Sequence, residues 1–461
     1  MRPGAALRLA LALLLLAFGT AVTAAEPPFA PAPPAERVVY RHVTLIDGTG
    51  APARRDMAVI TRGPLIEAVV ADGALSPAQL ANARTVDLSG RFLIPGLIDS
   101  HQHLATPPNR ARAAAQMRRD IYSGITATRI MADDLRSIAE LDRAARVGEL
   151  PGPDLYFAAL VAGDSFFQDP RTRAISGGGW TPGQTPWAQA IDEHTNIPLA
   201  IAIARGTGAT ALKIYANLTP YLVRRLTEEA HRQHFPVWAH ASVFPARPSD
   251  VIAAGPDTIS HTCYLAYQLM PQPPQSYQQR TPVDPAPFAQ GDNPVMAGLF
   301  RQLRDRRIIL DATLHVYQEG ERAAAANRRP PLCTLDLAAR LTAQAHRAGV
   351  LISAGTDGDT PAGNAYPALF EELELLVHRT GLTPLEAIRA ATQIGAMAMN
   401  QGRTMGVIAP GYAANLVILE RDPGADIANL RSVLFTVKSG RRFDRSDYRP
   451  IRPEEMGDDD D

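Results

Sequence analysis

An α/β fold, a (β/α)8 TIM barrel with a small β-sandwich domain built from both chain ends, is what this sequence predicts. Three observations predict it. Between residues 95 and 400 short apolar runs alternate with helical stretches, the signature of a parallel sheet. Eight such runs occur, at 97–98, 125–130, 155–161, 211–215, 237–240, 258–261, 308–314 and 350–355. Eight is the number a closed barrel needs. Both flanks instead carry short alternating runs separated by turn residues, as sandwich strands do.

Taken in chain order, residues 1–25 read as a signal peptide. Arg2 and Arg8 precede an apolar run at 9–18, and Val22-Thr23-Ala24-Ala25 offers small residues for cleavage. The run is short of the roughly 20 residues that span a bilayer. The expected location is therefore periplasmic or secreted, with no membrane attachment after signal removal. Residues 26–36, holding Pro27, Pro28, Pro31, Pro33 and Pro34, read as an extended linker with no core to bury. Residues 37–94 and 401–447 form the expected sandwich. Its strands lie at 38–40, 43–46, 57–60, 66–70, 86 and 92–94, then at 407–408, 416–419, 433–437 and 442–443. Residues 95–400 form the barrel, with helices expected at 222–233, 335–348 and 366–379. Residues 448–461, ending in four aspartates, read as a solvated acidic tail.

Composition narrows the function. The 461 residues carry a net charge of −1, which leaves no basic field for nucleic acid. With 20% charged and 46% hydrophobic residues, the chain is an ordinary globular protein. Two cysteines, Cys263 and Cys333, exclude a disulfide scaffold or a Cys-rich zinc module; whether they pair is left open. Of 46 basic side chains only Lys213 and Lys438 are lysines. Lys438, in Val437-Lys438-Ser439-Gly440, reads as a turn residue with no site nearby.

The chemistry concentrates at run ends. In His101-Gln102-His103 the two imidazoles share a face of an extended strand and can hold one metal ion. His240 and His261 each close an apolar run, and Asp357 follows another. Lys213 lies inside the run Ala211-Leu212-Lys213-Ile214-Tyr215. Barrel sites collect side chains from several strand C-termini, so six such residues from five strands point to one metal site. A desolvated lysine has a lowered pKa, is nucleophilic, and can add carbon dioxide to give an anionic carbamate. Such a ligand can bridge two metal ions. Arginine, always protonated, cannot form it.

Ile94-Pro95-Gly96-Leu97-Ile98-Asp99-Ser100-His101-Gln102-His103, with the four other positions, resembles the metal-dependent amidohydrolase superfamily. Within it the chain looks most like the imidazolonepropionase-like and Xaa-Pro dipeptidase-like branch. Residues 43–50, 381–387 and 411–419 support the match, which spans about 38–445. The resemblance implies two divalent metal ions, usually zinc. His101, His103 and Asp357 would hold one ion, and His240 and His261 the other. Lys213, as N6-carboxylysine, would bridge them around a metal-bridging hydroxide, and Asp357 would carry the proton to the leaving group.

Two departures refine the expectation. Deaminases of the superfamily carry a Glu three residues after the strand-five histidine; this chain has Val243. Related dipeptidases often carry Gly-Gly-His-Gly after strand three; here the segment is Gly177-Gly178-Gly179-Trp180. Tyr215, Tyr264, Arg247, Trp180 and His315, near strand ends, are the candidate substrate contacts, with Arg247 suited to a bidentate carboxylate pair. The expected function is an exported binuclear hydrolase of a small-molecule amide, a dipeptide or N-acyl amino acid, acting without nucleic acid and able to form a homo-oligomer. The rivals are a lactonase, esterase or organophosphate hydrolase on the same site, and a catalytically silent binding barrel.

Overall fold

Eight parallel strands whose side chains are almost all buried form the centre of the molecule. The computed structural model describes residues 27–457. The segment 1–25 expected as a signal and the aspartate run at 458–461 lie outside the described residues. The small domain begins with β1 (Arg37–Leu45), β2 (Arg54–Arg62), β3 (Leu65–Ala71), β4 (Arg84–Asp87) and β5 (Phe92–Pro95). The barrel follows with β6 (Leu97–Gln102), β7 (Ile125–Ile130) and β8 (Asp154–Gly163). A side hairpin, β9 (Gln184–Thr185) and β10 (Ala188–Ile191), precedes β11 (Ala211–Ile214), β12 (Val237–His240), β13 (Thr258–Ser260), β14 (Ile309–Asp311) and β15 (Ile352–Ser353). The chain then returns to the small domain through β16 (Leu416–Leu419), β17 (Val433–Lys438) and β18 (Arg441–Asp444).

The barrel order is β6-β7-β8-β11-β12-β13-β14-β15, parallel throughout. Across the seam the Ser100 amide donates to the Ala354 carbonyl at 2.8 Å, and the Asp357 amide to the His101 carbonyl at 2.9 Å. Strands covered on both faces read as continuous apolar runs, which is why all eight were visible in the sequence. Period-2 alternation sorts their side chains. Ile98, Ala127, Ala158, Ala211 and Trp238 form one cluster inside the barrel. Two residues further along the same faces come Ser100, Arg129, Leu160, Lys213 and His240. The same parity that fills the lower barrel with apolar groups therefore carries Lys213 and His240 into its upper layer.

The helices expected at 222–233, 335–348 and 366–379 are present as Pro220–Arg232, Leu335–Arg347 and Leu369–Thr380. The run at 308–314 is a strand only over β14, because Thr313 turns left-handed and a helix starts at Leu314.

The small domain draws its strands from both ends, in the order β18-β17-β16-β5-β1-β2-β3, with β4 beside β1. Its larger core includes Tyr40, Val59, Leu93, Ile418 and Phe435, and a smaller cluster of Val39, Ala58 and Ile60 lies on the other face of β1 and β2. The Ile66 amide bonds the Tyr412 carbonyl, so the far edge of the sheet meets the approach to β16 and the sheet folds over that core. On β16, Leu416 and Ile418 face the sandwich core while Val417 and Leu419 join the barrel core. Residues 407–408 are buried but lie in no strand.

Three further expectations need correction. The Pro-rich segment is not a free linker: Phe29 stacks on Phe443 at 5.9 Å and Ala30 and Ala32 are buried. Residues 448–457 are not a solvated tail, because Ile451 is buried and Glu455 pairs with Arg118 at 2.9 Å. Lys438 is not an exposed turn residue. It is buried at the seam between the domains, where Nζ meets Asp154 Oδ1 at 2.7 Å and donates to the Gly152 carbonyl at 2.9 Å.

Candidate metal centre

The six residues singled out as ligands meet at the C-terminal mouth of the barrel. His101 comes from β6 and His103 from just beyond it, Lys213 from β11, His240 from β12, His261 from the end of β13 and Asp357 from beyond β15. Asp357 Oδ1 lies 3.3 Å from His101 Nε2 and 3.4 Å from His103 Nε2, and its Oδ2 lies 3.7 Å from His261 Nδ1. Donor atoms of His101, His261 and Asp357 all fall within 4.8 Å of one another. The His240 ring packs 4.8 Å from the His261 ring. Lys213 is fully buried below them.

Backbone conformation helps aim these groups. His261, Thr313 and Asp357, at the ends of three successive strands, have φ of +76°, +53° and +48°. Left-handed backbone at non-glycine residues costs on the order of 1–3 kcal/mol each and collects at functional sites. Gly355 permits the close approach of the strands, since a Cβ there would lie 2.4 Å from Asp311 Oδ1 and 2.8 Å from His101 Cβ.

Each of three imidazoles is held through its Nδ1. His101 Nδ1 meets Asp311 at 2.8 Å, His103 Nδ1 meets Asp133 at 3.0 Å, and His261 Nδ1 meets Thr313 Oγ1 at 3.0 Å. Partners of this kind fix the tautomer and present the other nitrogen to a metal. Asp311 also accepts from Arg129 and from the Ser260 hydroxyl, both at 2.9 Å. The backbone amides of Leu104 and Ala105 and the Thr106 hydroxyl hold Asp133.

Burial and neighbouring charges set the protonation of these groups. Burial pushes His101 and His240 below the ordinary histidine range and His261 down to about 3, which keeps these imidazoles neutral. Burial also lowers His103, but Asp133 and Asp357 outweigh it and raise the group to about 10. Burial would raise Asp357, yet His101, His103 and His261 hold it well below the usual carboxylate range. Lys213 is pushed down to about 7, chiefly by burial and then by the Arg129 charge. Lys213 Nζ and His240 Nδ1 are buried without a hydrogen-bond partner among the described residues. Such orphaned groups cost roughly 1–3 kcal/mol each unless something binds them.

A cavity of about 830 Å3 opens above this floor. One wall is aromatic, with Phe166, Tyr215, Tyr264, Tyr267 and Tyr277, and carries Arg171 and Arg280. The Tyr215 ring lies 4.1 Å from that of His240. Arg329-Pro330-Pro331-Leu332-Cys333 also line it. Cys333 is bonded to Cys263, with Cα atoms 6.4 Å apart, so a disulfide staples this segment beside His261.

Of the expected substrate contacts, Tyr215 and Tyr264 line the cavity. Trp180 does not; it is 47% exposed and packs edge-on against Trp187. Arg247 opens the helix Pro248–Ala254 and reaches the Pro271 carbonyl, away from the cavity. His315 is buried behind Asp357, against Gly358 and 3.5 Å from Glu371. Asp133, Asp311, Thr313, Tyr277 and Arg280 belong to the site as well and were not among the residues expected there. Asp311, a carboxylate inside an apolar strand, gave the same signal as Lys213.

A second group of donors, His42, Asp56 and Asp72, lies on the small domain. There Arg41 grips Asp72 through two bonds of 3.0 and 2.5 Å and already supplies the positive charge.

Comparison with known proteins bears on the family and the fold. Residues 92–443 match the amidohydrolase family. Ochratoxinase from Aspergillus niger is 25% identical over 454 residues, covering 87% of this chain and 85% of that protein. Its crystal structure superposes with a TM-score of 0.70 at 21% identity, covering 89% of this chain and 96% of that one. The structure of a Xaa-Pro dipeptidase with methionine bound in its active site gives 0.66 at 19% identity, covering 89% and 100%. Imidazolonepropionase from Pseudomonas putida is 33% identical over 118 residues, which are 25% of this chain and 28% of that protein.

Proposed function

Because the chain belongs to the amidohydrolase family and is thereby a hydrolase acting on C–N bonds, we propose that it is an exported binuclear enzyme cleaving the amide bond of a dipeptide or N-acyl amino acid. The observation that carries this reading is the convergence of His101, His103, His240, His261 and Asp357 above a buried, unpartnered Lys213. Three neutral imidazoles, the His103 ring that would give up its proton to a metal, one carboxylate and an amine able to become a carbamate are a donor set suited to zinc. His101, His103 and Asp357 would hold one ion, His240 and His261 the other, with carboxylated Lys213 between them. When bound, the two ions polarise the scissile carbonyl and acidify water. Asp357, kept ionised by its histidines, takes the proton of the attacking water and delivers it to the leaving nitrogen. Asp133, Asp311 and Thr313 hold the imidazoles still during this exchange.

The names of ochratoxinase and Xaa-Pro dipeptidase support an amide with an amino-acid component. Val243, buried among apolar neighbours, offers no carboxyl for deaminase chemistry. The Cys263–Cys333 disulfide supports an oxidising compartment, periplasmic or secreted, in line with the signal peptide expected at residues 1–25.

The test is a substrate panel on zinc-loaded protein: dipeptides, N-acyl amino acids, lactones and organophosphate triesters, before and after chelation. Chelator-sensitive turnover restricted to the amides is expected. Turnover of lactones or organophosphates alone, or equal rates without metal, would overturn the proposal.

A further inference from the structure

Three arginines line the cavity, and they differ in what neutralises them. Arg171 is tied to Asp169 at 2.7 Å. Arg329 is exposed at the rim. Arg280 is partly buried and has no carboxylate within 4 Å among the described residues. Its Nε donates to the Tyr277 carbonyl at 2.8 Å and its Nη1 to the Tyr264 hydroxyl. Its guanidinium lies 3.4 Å over the Tyr277 ring. No protein group meets Nη2 among the described residues. Arginine stays protonated in such surroundings, so a full positive charge faces the cavity with one edge unused.

The charge is also fixed in place. Asn217 accepts the Tyr277 amide at 2.7 Å, and the Gln278 side chain reaches the Ser165 carbonyl at 3.2 Å. The Tyr277 ring stacks on His240 with centroids 6.0 Å apart and planes at 22°. The guanidinium thus stands across one tyrosine ring from the histidine floor, within the length of a small amide substrate. Tyr215 and Tyr264 offer apolar faces beside it.

We propose that Arg280 binds the free carboxylate of the substrate's leaving amino acid and makes the site selective for amides that carry this anion. A carboxylate matches the planar fork of a guanidinium and supplies the missing counter-charge. Arg280 therefore takes the part that the sequence suggested for Arg247. The inference rests on the amide-hydrolase reading and names the substrate class within it.

The probes are N-acetyl-L-leucine and N-acetyl-L-leucinamide, which differ only in the anionic end. Metal-loaded wild type, Arg280→Met and Arg280→Lys are compared by binding calorimetry and by kcat/KM. Wild type is expected to prefer the carboxylate probe roughly 10–100-fold in affinity and kcat/KM. Arg280→Met abolishes that preference, with the carboxylate probe losing far more affinity than the amide probe, while Arg280→Lys keeps part of it. Equal binding of both probes by wild type, or an equal loss for both in Arg280→Met, would overturn the assignment. Because binding is read apart from turnover, a protein that binds the carboxylate through Arg280 yet hydrolyses neither probe keeps this inference and counts against the amide-hydrolase reading instead. Should Arg280→Met fail to fold, undiminished selectivity in Arg280→Lys would also sink the proposal, since an ammonium lacks the fork.

Discussion

The chain's two lysines are both buried, one at the barrel mouth and one at the seam between barrel and sandwich, and their surroundings are opposite. Lys438 is satisfied, with Asp154 as counter-ion and two carbonyls as acceptors. Lys213 has no hydrogen-bond partner among the described residues and is pushed down to about 7 by burial and by Arg129. A buried ammonium needs a partner, whereas a buried amine can wait for one. The seam therefore uses lysine as an ion-pair partner that ties two domains together, whereas the mouth holds a desolvated lysine with no hydrogen-bond partner among the described residues.

The largest effect should come from the mouth. Lys213→Arg should lower kcat by more than the roughly 10–100-fold typical of losing a group behind a metal ligand, with the urea midpoint nearly unchanged. Steady-state kinetics beside urea titration checks both halves; activity within tenfold of wild type would break the contrast. At the seam the reverse is expected. Lys438→Met strips Asp154 of its nearer cation, leaving Arg146 at 3.4 Å, and should cost about 1–3 kcal/mol of stability, read as a lower urea midpoint at constant m, while kcat stays unchanged. A wild-type midpoint would show the seam pair to be idle.

Asp311→Asn sharpens the mouth side further. It weakens the grip on His101 Nδ1 without touching a donor atom, so metal affinity should fall roughly 10–100-fold in competition with a chelating dye. An unchanged affinity would reduce Asp311 to a packing residue.

The last effect is confined to the pH dependence and concerns Glu372, another buried group with no cation paired to it among the described residues. It accepts from the His315 amide at 2.7 Å, and burial raises it to about 8. Its folded pKa exceeds the unfolded one, so the unfolded chain binds fewer protons between about pH 4.5 and 8. Stability from this group is complete below that window and lost through it as pH rises, by at most about 1.4 kcal/mol per pH unit. Glu372→Gln should flatten that slope in urea titrations across the window; an unaltered slope would show the carboxyl to be ionised throughout.

What the sequence disclosed follows from the same physics. The eight barrel strands and six candidate ligands were legible because a strand buried on both faces is a continuous apolar run, and a polar residue at its end stands out. Lys438 was misread because its partner lies far upstream and a Val-Lys-Ser-Gly string looks like a turn. Arg247 was misplaced because it caps a helix, with its amide bonded to Asp250, and so turns from the cavity. Arg280 was invisible because it sits in a Pro- and Gln-rich loop whose course depends on contacts with Asn217 and Phe166. The linker and tail looked idle because Phe29, Ile451 and Glu455 acquire meaning only once the surfaces they cover exist.

The contrast between the two lysines comes down to metal stoichiometry. Purified protein loaded with zinc and passed free of excess metal should carry two ions per chain by mass spectrometry in wild type and in Lys438→Met, and no more than one in Lys213→Arg. Two tightly held ions in Lys213→Arg, or a single ion in wild type, would contradict the account.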